Sequence, residues 1–315
     1  MRNAYGNALQ GVQAQLARIL ESIAEMEADG IPVERQTVML AERFQNVGQD
    51  LVEQIVEFQS FGLEQTVIGQ RELIDYSTDR IAQLTKITTA PLSTVGIVWD
   101  VVRPDRSALE KFVGFASNGS PLSRVFDQVG IDARSAVEQA MGRGVGPREA
   151  ARMMTRVGQA SYQRMETIAR TEMLRAAGEA NREMLMANDD VLDGWTRVCA
   201  GDPRTCAVCW ALHGTEHKTS DIMPTHPNCR CVAVPKPKSI AEITGDPELD
   251  DTTPEVPGRD QLFAQLTSDE QIEVLGKGRY DLWKNGMSLT RFGKVEQDAV
   301  WGPTAVAVPL KELEG

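Results

Sequence analysis

Histidine and cysteine are nearly missing from this chain, and the few present are not scattered. All five cysteines (Cys199, Cys206, Cys209, Cys229, Cys231) and all three histidines (His213, His217, His226) lie between Trp195 and Pro235. An odd count of thiols in one short stretch, in a chain long enough to bury its own core, argues against a disulfide framework. There is no apolar run of about 18 residues, so no transmembrane helix is expected. The first residues, MRNAYGNALQ, lack a signal-peptide core, and folding in a reducing cytoplasm is the expectation. Aromatic residues are only 5% of the chain, which, with abundant Ala, Gln, Glu, Arg and Met, leans helical. Bases are outnumbered 33 to 45, a net charge of −12, so the chain as a whole does not read as a nucleic-acid binder. A P-loop, a dinucleotide fingerprint, H-E-x-x-H and the deaminase pattern H-x-E before P-C-x-x-C are all absent.

What is present is a pattern of metal-ligand spacing. Cys206 and Cys209 form C-x2-C, and His226, Cys229 and Cys231 form H-x2-C-x-C. A tight turn of the first kind aims two thiolates at one point, and a second group from a distant turn completes a tetrahedron, the usual form of a structural zinc site. Five candidates, Cys206, Cys209, His226, Cys229 and Cys231, surround four positions. Cys229 and Cys231, two apart, would face one side of a strand, so both could ligate, or His226 with one of them. His213 and His217 offer a rival set with Cys206 and Cys209. The alternative to a metal is a set of buried thiols packing in a small β core.

The run Asp202 to Gly214, D-P-R-T-C-A-V-C-W-A-L-H-G, followed by P-T-H-P-N-C-R-C from Pro224 to Cys231, resembles the signature of Mu F-like phage minor head proteins, also called phage head morphogenesis proteins. A second matching element, I-A-R-T-E from Ile168 to Glu172, lies upstream on a helical stretch. The resemblance covers Ala169 to Pro235 directly and the flanking regions more loosely; the run L-G-x-x-R-Y-x-L-W-x-x-G in the tail also looks family-like. It implies a structural protein of the virion, not an enzyme, placed at the portal vertex and acting in head assembly and in DNA packaging or ejection. The implied partners are the portal protein, the major capsid protein or both.

The rest of the chain reads as mainly α with a small α+β Cys/His module. The expected division is an N-terminal helical arm (1–90), a core (91–235) containing the module (195–235), an acidic Pro-rich linker (236–259) and a helical tail (260–315). In the arm, Leu9, Val12, Leu16, Ile19, Ile23 and Met26 follow a heptad seam, and Asp29-Gly30-Ile31-Pro32 turns the chain. A second helix through Leu40, Phe44, Val47, Leu51, Ile55 and Phe58 follows, and helix resumes over 64–87, giving a long hairpin or bundle. Such an arm suits docking on a large partner, or equally an ordinary bundle.

Val95 to Val102 reads as a short strand or buried turn, and Ser107 to Ala116 as helix. Asn118 to Pro121 is a turn leading into a helix, and Asp132 caps the next helix. Gly144 to Pro147 starts another, on which Arg148, Arg152 and Arg156 share a face. These three are the candidate contact to packaged DNA; internal pairing with the acidic arm is the competing reading. A further helix spans 161–188, and Arg170, Glu172, Asp202 and Arg204 are expected to form one structural polar network. Two strands, 195–198 and 231–234, frame the cysteines. In the tail, helices are expected over 260–275 and 279–284, with a start at Thr267-Ser268-x-Glu270 and stops at Gly276 and Gly286.

Overall fold

The computed structural model describes residues 2–116, 119–142, 146–249, 256–298 and 302–314; the side chains of 2–12, 37–38 and 140–142 are outside that description. Leu9 and Val12 of the seam, Asn118, Gly144 and Val145 of the two turns, and the acidic stretch 250–255 therefore lie, in whole or in their side chains, outside the described residues.

The elements, in chain order, are α1 (Arg2–Ala28), α2 (Val33–Thr88), a 3-10 turn (Ala90–Val95), α3 (Arg106–Glu110), α4 (Leu122–Gly142), α5 (Pro147–Met186), β1 (Leu192–Val198), α6 (Ala207–Leu212), β2 (Glu216–His217), β3 (Val232–Pro237), α7 (Ile240–Thr244), α8 (Arg259–Phe263), α9 (Ser268–Lys284), a 3-10 turn (Leu289–Phe292), β4 (Gly293–Asp298), β5 (Gly302–Ala307) and α10 (Leu310–Leu313). The fold is mainly α with a small antiparallel sheet beside a Cys/His cluster, as the sequence indicates. The chain divides into two compact units, Met1–Ile68 with Gly119–Arg170, and Gly69–Asn118 with Thr171–Gly315.

The first unit is helical. Leu16, Ile19 and Ile23 of α1 and Leu40, Phe44, Val47, Leu51, Ile55 and Phe58 of α2 are all buried in one core, with Phe126, Val129, Ala133 and Val137 of α4 and Ala151, Met154, Met165 and Ala169 of α5. The apolar stripe read from the sequence is thus the face that packs. Gly30 takes φ +70°, and the Ile31 N–H reaches back to the Met26 carbonyl at 2.9 Å, closing α1 before Pro32. Gln15 donates to Asp50 at 2.9 Å and Arg43 to Ser22 at 3.3 Å, pairs that run in opposite directions from the turn, as in an antiparallel hairpin.

Several local expectations are corrected. Helix α2 runs unbroken through 59–63, where a pause is expected, and Gly62 within it lies against Phe126, whose ring a Cβ there would approach to 3.0 Å. Asp132 does not cap a helix. It lies inside α4, where its carboxylate accepts from Gln128 at 2.7 Å and from Arg164. The expected helix over 161–188 is the second part of α5, which starts at Pro147. Arg148, Arg152 and Arg156 do share its exposed face, and each meets a carboxylate: Arg148 that of Glu27 at 2.7 Å, Arg152 and Arg156 that of Glu149 at 3.8 and 3.2 Å.

In the second unit, Val95 to Val102 forms no strand. Val98 is fully exposed, and the segment is held by Asn188, whose side chain accepts from the Val102 N–H at 2.8 Å and donates to its carbonyl at 2.9 Å. Helix over 107–116 shortens to α3 and a string of turns. The sheet has the order β2-β1-β3, antiparallel throughout, with Arg197 opposite Ala233 and Trp195 opposite both Pro235 and His217. Gly194 is required by that crossing, since any Cβ there would overlap the His217 carbonyl. The segment expected as linker carries α7, opened by a Ser239–Glu242 capping box and closed at Gly245, and Ile240 is buried. The tail has the capping box at Thr267 and Glu270 and a break at Gly276 (φ +71°), but it also folds a hairpin, β4–β5, where helix alone is expected.

Candidate metal centre

The centre is assembled by four short pieces of chain. Strand β1 ends at Val198 and delivers Arg197 and Cys199. The turn Asp202 to Thr205, closed by the Thr205 N–H on the Asp202 carbonyl at 2.9 Å, leads into α6, with Cys206 at its N-cap and Cys209 one turn on. A second turn, the Cys229 N–H on the His226 carbonyl at 3.0 Å, carries Asn228 at φ +61° and places His226, Cys229 and Cys231 just before β3.

The donor atoms converge. The Sγ of Cys206 and Cys209 lie 3.3 and 3.0 Å from His226 Nε2, and the Sγ of Cys209 and Cys229 are 3.9 Å apart. Cys206, Cys209 and His226 form one group with all donor atoms within 4.8 Å of one another, and Cys209, Cys229 and Cys231 form a second, so Cys209 is common to both. Thiolate ligands of one tetrahedral zinc stand roughly 3.8 Å apart, close to the Cys209–Cys229 separation. His226 is oriented for the task. Its Nδ1 lies 2.9 Å from the Pro227 carbonyl, which can only accept, so a proton sits there and Nε2 is the nitrogen that faces the sulfurs. All five thiols are free, and Cys209, Cys229 and Cys231 are buried. The donor set fits a zinc ion.

The other histidines are engaged elsewhere. His213 accepts at Nδ1 from the Cys199 N–H (3.1 Å) and donates at Nε2 to the Pro257 carbonyl (2.9 Å). His217 stacks on Trp195, ring centroids 4.1 Å apart, with its Nε2 against Thr215. Cys199 belongs to neither group.

Mutual hydrogen bonds split the thiols of the cluster, Cys206 and Cys229 being lowered and Cys209 and Cys231 raised. The hydrogen bond from Cys209 pulls Cys206 down to about 4, with His226 contributing after it, and the same contact pushes Cys209 up. His226 is pushed up to about 10 by its hydrogen bonds to Cys206 and then Cys229. The residue that sequence reasoning passes over is Arg197. It is 0% exposed, donates to the Pro224 carbonyl, and sets Nη2 at 3.6 Å from Cys229 Sγ and 3.9 Å from Cys209 Sγ. Arg197 shares a strand face with Trp195, a position where a cation is out of place, but that face is identified only once the pairing of β1 is known.

The expected four-residue polar network is not what forms. Asp202 and Arg204 do pair, at 3.2 Å, but the main partner is Arg230, whose two Nη atoms donate to the two Asp202 oxygens at 2.7 Å each. Glu172 forms its ion pair with Arg175 and Arg170 with Glu166, both at 3.8 Å. Thr171, between them, accepts from the Asn228 N–H at 3.4 Å and so touches the ligand loop directly. A buried Glu is satisfied more cheaply by an arginine one turn away than by one brought from another element.

The Arg230 hydrogen bond, with lesser help from Thr205 and Arg204, holds the Asp202 carboxyl well below the usual carboxylate range. A depressed carboxyl stabilises the fold above its unfolded value of about 4, and that contribution is lost as pH falls through the folded value. Asp202→Asn is therefore expected to cost about 1 kcal/mol at pH 7, a modest figure because Arg230 is partly exposed. Urea titrations of both proteins check it: the gap stays constant from pH 8 to 5 and narrows below about pH 4.

No curated protein and no solved structure matches this chain. Residues 132–234 match the family model described as Phage Mu protein F like protein, a range that takes in I-A-R-T-E and every donor of the cluster. That segment is Mu F-like, and the class it supports is, in general terms, a phage head morphogenesis protein.

Proposed function

We propose that this chain is a structural, non-enzymatic minor head protein of a tailed phage, sited at the portal vertex and acting in head assembly and in DNA packaging or ejection. The family match over 132–234 carries the reading. The helical arm of 1–90 docks on the portal protein, the shell protein or both. Zinc is held by four of Cys206, Cys209, His226, Cys229 and Cys231, and it supplies cross-linking: a closed shell ties α6, the 226–231 loop and β3 together and leaves no position for a reacting water. The chain is assembled in the host cytoplasm and ends in the virion.

Two competing readings, a zinc-dependent DNA-processing enzyme of nuclease type with His226 as its catalytic histidine and an internal DNA-binding virion protein, gain nothing from the geometry. The first needs a free imidazole, and both nitrogens of His226 are engaged. Packaged DNA would have to take Arg148, Arg152 and Arg156 from the carboxylates they now face. Quantitative mass spectrometry of purified virions and procapsids, counting this chain against the shell protein, tests the proposal. A low, reproducible copy number in both particles is expected. Absence from both would end it.

A further inference from the structure

Charge balance in the interior of the cluster narrows the ligand set. Arg197 has no carboxylate partner among the described residues, and its Nε meets no acceptor there. An arginine guanidinium keeps its proton even when buried, and Arg197 is 0% exposed. A lone buried cation costs several kcal/mol, so one that persists needs a counter-anion in the same pocket. The sulfurs of Cys209 and Cys229 are the groups within reach, and metal binding would make each a thiolate.

A divalent ion with two thiolates is neutral and leaves Arg197 unbalanced. With four thiolates the centre is −2, and one guanidinium leaves a net negative charge buried. With three thiolates and a neutral imidazole the centre is −1, which Arg197 cancels. With a metal in place of its Nε2 proton, His226 keeps the Nδ1 proton on the Pro227 carbonyl and is a neutral ligand, which fits that count.

We propose that Arg197 is the built-in counter-cation of the metal centre, and that it selects a shell of three thiolates plus His226. Cys209 and Cys229, which touch the guanidinium, are two of the three. Cys206 or Cys231 is the third, and the other stays outside the shell. Arg197 is a positioning residue: it does not ligate, and it holds the Cys209 and Cys229 thiolates by charge. This inference rests on the zinc reading above.

The test uses the full chain, reduced and stripped of metal, titrated with cobalt(II) and then competed with zinc(II). In the wild type the sulfur-to-cobalt band should have the intensity of three thiolates. Arg197→Met, which keeps most of the volume and removes the charge, should weaken zinc binding about 10- to 100-fold, the usual cost of losing a group that supports metal ligands. Arg197→Lys, if folded by circular dichroism, should recover part of the loss. Cobalt failing to bind the wild type at all would sink the zinc reading itself. Wild-type binding with a four-thiolate band, or Arg197→Met binding zinc as tightly as wild type, would overturn the role of Arg197 and leave the zinc reading standing.

Discussion

Serine at both Cys206 and Cys209 is expected to lower the melting temperature of the second unit by 10 °C or more, on the order of what losing about 5 kcal/mol does to a domain of this size. Cys209 belongs to both donor groups, so its loss breaks each of them, and the loss of Cys206 removes one further donor. In small zinc modules the metal contributes roughly 10–16 kcal/mol of apparent free energy, and that energy is folding free energy. A typical domain has only about 5–15 kcal/mol in hand. A strong chelator should bring the wild type down to the same temperature and should leave the double variant where it is. Cys199→Ser, outside both groups, is the control and should melt close to wild type. A double variant with unchanged melting, with and without chelator, would remove the metal from the account.

Trp210→Ala is expected to cost about 3–5 kcal/mol, the range for deleting a large buried aromatic. Trp210 is 0% exposed and lies on α6 next to Cys209, facing Phe263. Its ring meets Phe263 edge-on at 5.1 Å, and Phe263 meets Trp283 in the same way at 5.1 Å. Cys209, Cys229, Cys231, Phe263, Leu275, Leu289, Phe292 and Leu313 share this core. Hydrogen exchange reads the consequence. Amides of β4 and β5 should lose protection together with those of α6, because Leu289 and Phe292, just before β4, share the Trp210 core and Gly293 lies on α6. If β4–β5 stays protected while α6 opens, the tail is an independent element and the shared core is of little energetic weight.

The donors could be read from the sequence because their signal is local. C-x2-C needs one turn of helix, and H-x2-C-x-C needs one turn of loop. Arg197 could not, because a cation in a strand becomes informative only when the strand's inner face is known, and that depends on a pairing partner at Ala233. Asp132 misled for a related reason. An aspartate before an apolar run resembles a cap until Gln128 and Arg164 are seen to satisfy it in mid-helix. The seam of α1 and α2 was legible because it repeats over many turns. The β4–β5 hairpin was not: the last four residues of β4 are all exposed, so no alternation marks them.

One approach of backbone to backbone sets an order of events. Gly293 lets β4 lie directly on α6, where a Cβ would stand 2.9 Å from that of Ala211 and 3.1 Å from the Val208 Cα. The surface beneath the ligand helix is therefore finished by residues that leave the ribosome well after the cysteines do. Until then Trp210 and the neighbouring thiols face solvent, in a form open to oxidants, proteases and competing metals. A metal at the cluster would thus be held securely only once the tail is made, and a chain cut short before Phe263 would lack the packing behind Trp210.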